Sequence, residues 1–214
     1  MFLLLCAAGL ASGLPNVDTP LRTGNRAPHD AAVVIGIEDY AFVADVPHAA
    51  KDAEAFYDLL IYTVGIPSDH VRLMNGGASR EQILGSIDTA AEQVGENGTV
   101  WVYFAGHGAA NSSTGARMLL GDDVRQDPTV FDSRGVGVDE LVDHVKGANL
   151  RLITDACYGG RGRSGQDIIS GMRFAVPSYA TGATTNELYW YAAAGDQLAG
   201  PLDEVGHGAF TYLA

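Results

Sequence analysis

The stretch Thr99-Val-Trp-Val-Tyr-Phe-Ala-Gly-His-Gly108 joins a mainly apolar run to a histidine that stands between two glycines. A second stretch, Leu150-Arg-Leu-Ile-Thr-Asp-Ala-Cys-Tyr-Gly-Gly160, leads in the same way into a cysteine that two glycines follow closely. Runs rich in β-branched and aromatic residues are typical of the buried strands of a parallel sheet. Each stretch therefore predicts a strand that ends in a residue with reactive chemistry.

The rest of the chain alternates between strand and helix patterns. Apolar runs predict further strands at residues 31–37, 71–74 and 188–192. Apolar residues at helical spacing, with a Ser79–Gln82 capping box opening the second helix, predict helices at residues 49–64, 80–94, 138–145 and from 207 onward. This alternation predicts an α/β fold, with a mostly parallel central sheet flanked by helices on both faces.

Composition divides the chain into three parts. Residues 1–13 form an apolar run followed by small residues, which is typical of a secretory signal but too short to span a bilayer. Residues 14–30 are polar and predict a linker, and residues 31–214 form one domain whose last helix we expect to be truncated. If the first segment is a signal, the protein is exported to the periplasm or secreted; otherwise it is cytoplasmic.

The charge of the chain limits its partners. The sequence has 13 Lys and Arg against 26 Asp and Glu, a net charge of −13, so a nucleic-acid partner is not expected. An acidic surface instead favours cationic substrates. The sequence has no G-x-S-x-G motif of serine hydrolases, and no glycine-rich phosphate loop follows its first strand.

His107 and Cys157 are the candidate catalytic pair. In an open parallel sheet the active site lies beyond the carboxyl ends of the strands, where both residues are predicted to emerge. A neighbouring imidazole can take the proton of a thiol, and the backbone N–H groups of Gly108 and Cys157 can hold a developing oxyanion. A buried structural cysteine and a zinc site are the alternatives, although no C-x-x-C or H-x-x-x-H motif supports zinc.

The spacing of this pair resembles that of a known peptidase superfamily. His107 lies 50 residues before Cys157, which stands in Asp155-Ala-Cys-Tyr-Gly159. The sequence therefore resembles the caspase, metacaspase and bacterial orthocaspase superfamily of cysteine endopeptidases. Further matches, which extend the resemblance over residues 31–214, are Val33-Val-Ile-Gly-Ile37, Lys51-Asp-Ala-Glu-Ala-Phe56, Gly195-Asp-Gln197 and His207-Gly-Ala-Phe-Thr211.

The resemblance also implies a specificity for basic residues. Asp155 stands where metacaspases, which cut after Arg or Lys, have an acidic pocket residue, and Asp52 matches a second one. A carboxylate can pair with a guanidinium through two hydrogen bonds and repels an acidic side chain. The expected substrates are thus proteins or peptides with basic residues, although a catalytically silent scaffold that only binds protein partners remains an alternative.

Two further expectations concern metal binding and processing. No cofactor is required, but some metacaspases need calcium, and the weak candidate ligands here are Asp122, Asp123, Asp139 and Glu140. The glycine-rich stretch Gly159-Gly-Arg-Gly-Arg-Ser-Gly165 is expected to be mobile and exposed. It makes Arg161, Arg163 and the later Arg173 candidates for autoprocessing.

Overall fold

Five parallel strands form the central sheet of the protein. A computed structural model describes residues 15–95, 97–169, 186–194 and 197–214. The strands of the sheet, in spatial order, are β2 (Val71–Met74), β1 (Asp30–Gly36), β3 (Thr99–Ala105), β7 (Asn149–Asp155) and β8 (Glu187–Tyr191). Every neighbouring pair is parallel, which confirms the predicted sheet.

Helices cover both faces of this sheet. The helices are α1 (Ala49–Leu59), α2 (Arg80–Val94), α3 (Pro128–Arg134), α4 (Val138–His144) and α5 (Ala209–Leu213). Helix α1 packs against β1, β2 and β3 and also contacts α5, whereas α2 packs against β1 and β3 and contacts α4. Because right-handed crossovers run from β1 to β2 and back to β3, α1 and α2 lie on opposite faces.

Local sequence explains why the first two helices form where they do. Helix α1 continues into a π-helical turn at Leu60–Val64 and ends at Gly65, whose φ of 92° suits glycine. Helix α2 begins with the predicted capping box, in which Ser79 and Gln82 each accept a hydrogen bond from the backbone N–H of the other.

A second, smaller sheet was not predicted. It consists of β4 (Gly108–Ala110), β5 (Arg117–Leu119) and β6 (Val136–Gly137), paired antiparallel. The polar stretch 109–117 predicts a loop, but residues 109–110 lie in β4 and residue 117 lies in β5, because strands this short show no periodic pattern. Helix α3, which Asp127 caps by accepting a hydrogen bond from the backbone of Thr129, was also missed.

The end of the described chain also differs from the prediction. Residues from 207 onward were expected to be helical, but His207 and Gly208 form β10, which pairs with β9 (Pro201–Leu202), and α5 starts after them. At the other end, residues 15–29 contain no helix or strand. This predicted linker is nevertheless held to the domain, because Tyr212 donates a hydrogen bond to the carbonyl of Pro15.

Candidate active site

The two strands that carry His107 and Cys157 are neighbours and end at the same level. Ala105 of β3 pairs with Asp155 of β7, so the two segments that follow leave the sheet side by side. Gly108 packs so closely that a Cβ there would lie 2.8 Å from the carbonyl oxygen of Cys157. Glycine at this position therefore allows the His107 and Cys157 segments to come into contact.

The imidazole of His107 is buried and held in one tautomer. Its Nε2 lies 2.5 Å from the carbonyl oxygen of Ala44. Because a carbonyl only accepts, Nε2 carries the proton and Nδ1 is left as the basic nitrogen. The hydroxyl of Tyr40 accepts a hydrogen bond from the His107 backbone N–H at 2.9 Å. Burial lowers the pKa of His107 to about 4, so the ring is neutral near pH 7.

The thiol of Cys157 is also buried, with 3% of the residue exposed among Ala193 and Ala199. Its Sγ accepts a hydrogen bond from the backbone N–H of Ala199 at 3.0 Å. Burial raises the pKa of Cys157, and the charge of Asp155 acts in the same direction. Within the described part of the chain no hydrogen bond joins Cys157 to His107, and the thiol is covered by its surroundings.

A buried acidic pocket adjoins Cys157. It is formed by Asp52 on α1 and Asp155 at the end of β7, both of which are fully or almost fully buried. The backbone N–H of Gly208 donates to both carboxylate oxygens of Asp52 at 3.0 Å. Burial raises the pKa of Asp52, and the negative charge of Asp155 adds to that effect. The structure therefore brings the two predicted pocket acids together.

The pocket contains the side chain of Arg163. Its Nη1 lies 2.7 Å from Oδ2 of Asp52 and 2.8 Å from the carbonyl oxygen of Pro47, and its Nη2 lies 3.2 Å from Oδ1 of Asp155. Burial lowers the pKa of Arg163, but the two carboxylates outweigh it and the net shift is upward. The expectation of an exposed Arg163 was therefore wrong, because only 2% of its side chain is exposed.

Arg163 stands at the tip of a closed loop, residues 160–168. Arg161 and Asp167 form an antiparallel bridge at its base, and the N–H of Gly162 donates to the carbonyl of Gln166 at 2.8 Å. A Cβ on Gly162 would lie 2.7 Å from Cε1 of His107, so the loop backbone packs directly against the imidazole.

The other two autoprocessing candidates have different positions. The side chain of Arg161 is 47% exposed and lies 3.8 Å from Asp167. Arg173 falls outside the described residues.

The residues that hold the pocket acids in place were not predicted from the sequence. Thr211 donates to Oδ2 of Asp155 from its hydroxyl at 2.6 Å, and the same hydroxyl lies 2.6 Å from that of Tyr103. The ring nitrogens of His207 face Asp52 at 2.8 Å and Asp18 at 3.0 Å. The segment His207-Gly-Ala-Phe-Thr211 is one of the matches to the peptidase superfamily, so the sequence did point to this segment. The match did not predict these contacts.

The four weak calcium candidates do not form a ligand cluster. Arg134 pairs with Asp123, and Arg80 donates to both carboxylate oxygens of Glu140. Over the residues that the structure describes, no group of three or more His, Cys, Asp or Glu side chains is arranged to hold a metal ion. The calcium expectation therefore gains no support from this arrangement.

Two predictions about the amino-terminal region concern the membrane and export. The proposed signal, residues 1–13, lies outside the described residues. None of the helices in the described ranges has the length and apolar character that crossing a bilayer requires.

The chain is similar to known proteins in family and in fold. The family model of the caspase domain matches residues 29–212. The crystal structure of caspase-1 from Spodoptera frugiperda is similar, with a TM-score of 0.56 and 15% identity over 91% of this chain and 71% of that chain. A protein from Geobacter sulfurreducens matches 61% of this chain and 51% of its own with 18% identity, but its TM-score of 0.48 establishes no common fold.

A search of curated proteins gave no match. The family match nevertheless spans most of the chain, and the parallel sheet agrees with it. The chain therefore belongs to the caspase domain family of cysteine peptidases.

Proposed function

We propose that this protein is a cysteine endopeptidase of the metacaspase or orthocaspase type, which cuts after Arg or Lys through a dyad of Cys157 and His107. The observation that carries the proposal is the buried pair of Asp52 and Asp155, which surrounds a guanidinium beside the thiol. A pocket with two carboxylates binds a cationic side chain and disfavours an acidic one.

In the proposed mechanism Nδ1 of His107 takes the proton of the Cys157 thiol, and the thiolate attacks the carbonyl carbon of the scissile bond. The hydrogen bond to Ala44 keeps the proton of His107 on Nε2, which leaves Nδ1 free for this step. His107 then returns the proton to the leaving amine, and water hydrolyses the resulting thioester.

Backbone N–H groups are proposed to bind the oxyanion. Among the described residues the N–H of Cys157 has no hydrogen-bond acceptor, and we assign it as one of the two donors. Gly108 lies against the carbonyl of the same residue, so its N–H belongs to the same region of the site. Two such donors stabilise the tetrahedral intermediate more than the planar substrate, which lowers the barrier to reaction.

Cleavage of fluorogenic peptides that end in Arg, Lys or Asp tests this proposal. We expect the Arg and Lys peptides to be cut, and Cys157→Ala or His107→Ala to lower turnover by roughly three orders of magnitude or more, because the pair acts as a unit. Wild-type turnover in Cys157→Ala, or preference for the Asp peptide, would refute it. The intact masses of the wild type and Cys157→Ala, measured on the same preparations, test for autoprocessing. Fragments that end at Arg161 or Arg173 in the wild type alone would show that it occurs.

A further inference from the structure

We propose that Arg163 is an intramolecular plug that occupies the specificity pocket in place of a substrate arginine and keeps the peptidase inactive. This inference rests on the proposed function and concerns the regulation of the same site. The guanidinium of Arg163 contacts both acids of the pocket, Asp52 and Asp155, with 2% of the side chain exposed. A substrate cation cannot reach these carboxylates until Arg163 leaves.

The same loop covers the rest of the catalytic site. Gly162 packs against the imidazole of His107, next to the position of Arg163 in the pocket. Cys157 is 3% exposed and donates no hydrogen bond to His107 in the described structure. The pocket, the base and the nucleophile are therefore closed together, as expected of a segment that binds along the path of a substrate.

Residues 161–167 of this loop can leave as a unit, whereas Ile168, which is 1% exposed in the hydrophobic core, stays anchored. The N–H of Gly165 donates to the carbonyl of Gly162 at 2.9 Å, and the N–H of Ile168 donates to that of Gly160 at 3.0 Å. These bonds are internal to the loop. When the loop moves away from the site, it therefore breaks neither these bonds nor the hydrogen bonds between the strands of the main sheet. Gly160 and Gly165 have φ values of 87° and 78°, which glycine adopts without strain.

The fit of Arg163 is incomplete, which favours exchange for a substrate. Nε and Nη2 of Arg163 and Oδ1 of Asp155 are buried without a hydrogen bond to a described residue. A guanidinium that enters with its two N–H groups parallel to a carboxylate forms two aligned bonds. A substrate arginine is free to adopt that alignment, whereas Arg163 is restrained by its own loop.

Arg163→Ala is the direct test, and Arg161→Ala is its matched control in the same loop. The assay follows labelling of Cys157 by a peptidyl-arginine chloromethyl ketone and cleavage of an arginyl fluorogenic peptide. If the pocket is mostly plugged, removing the plug should increase both rates about tenfold or more, because apparent affinity scales with the open fraction. Arg161→Ala should match the wild type when both are assayed as preparations that intact mass shows to be unprocessed. If the wild type cleaves the peptide, a folded Arg163→Ala with rates equal to or below those of the wild type would overturn the proposal.

Benzamidine, a small amidine, keeps the test decisive if Arg163→Ala is unstable. It should raise the melting temperature of Arg163→Ala, or allow that variant to fold, while leaving the wild type unchanged. Equal stabilisation of wild type and variant, or no effect on either, would overturn the plug. If Arg163→Ala binds benzamidine but cleaves no peptide, the plug is supported and the proposed peptidase activity fails instead.

Discussion

Acidification should destabilise the protein through His107. Burial lowers the pKa of His107 from 6.5 to about 4. Each unit of difference between the folded and unfolded pKa values changes the free energy of unfolding by about 1.4 kcal/mol. The shift of His107 therefore corresponds to about 3 kcal/mol of unfolding free energy. The unfolded imidazole binds a proton below pH 6.5, whereas the folded one stays neutral until about pH 4. The contribution of His107 to the free energy of unfolding is therefore complete above pH 6.5 and is lost progressively as the pH falls to 4.

His107→Gln isolates this contribution. A glutamine amide can still donate to the carbonyl of Ala44, but it does not titrate in this range. The free energy of unfolding, measured by urea denaturation between pH 4 and pH 8, should fall more steeply in the wild type than in His107→Gln, by about 3 kcal/mol over the window. Other titrating groups are common to both proteins and cancel in the difference.

His29→Gln is the matched control, because it changes an exposed imidazole. It should leave the pH dependence of the wild type intact. If His107→Gln loses as much stability as the wild type between pH 6.5 and pH 4, the imidazole is not buried in its neutral form and the argument is wrong.

Two further substitutions test the pocket and a helix end. Gly208→Ala places a methyl group against the carboxylate of Asp155 and 2.7 Å from Nη2 of Arg163. Because this methyl group takes up space in the pocket, kcat/KM for arginyl peptides should fall about tenfold or more. An unchanged kcat/KM would show that Gly208 does not line the pocket. Ser79→Ala removes the side-chain acceptor of the capping box and should lower the free energy of unfolding by about 1 kcal/mol in urea denaturation, and no measurable change would mean that the cap contributes nothing.

The main sheet was predictable because its strands are long apolar runs that recur between helical patterns. β1, β3 and β7 each have at least four consecutive buried residues, so nothing in their sequence competes with the strand assignment. The short strands β4, β5 and β6 have three residues or fewer, and such segments form only because partners from elsewhere in the chain pair with them.

The candidate site was predictable in its residues but not in its occupancy. Asp52 and Asp155 were identified from a resemblance, and parallel strands made it reasonable that His107 and Cys157 would meet. The position of Arg163 could not be inferred, because a glycine-rich stretch predicts exposure and its burial depends on two carboxylates that are distant in sequence. Local sequence carries no signal for an ion pair of this kind.

The bonds from Gly208 to Asp52 and from Thr211 to Asp155 determine when during synthesis the site can exist. Both acids leave the ribosome well before residues 207–211, and until those residues emerge the carboxylates lack the donors that fix them. Long-range contacts of this kind form late in folding. A nascent chain therefore carries His107 and Cys157 for some time before the two carboxylates are fixed, and the site is completed only after residues 207–211 have left the ribosome.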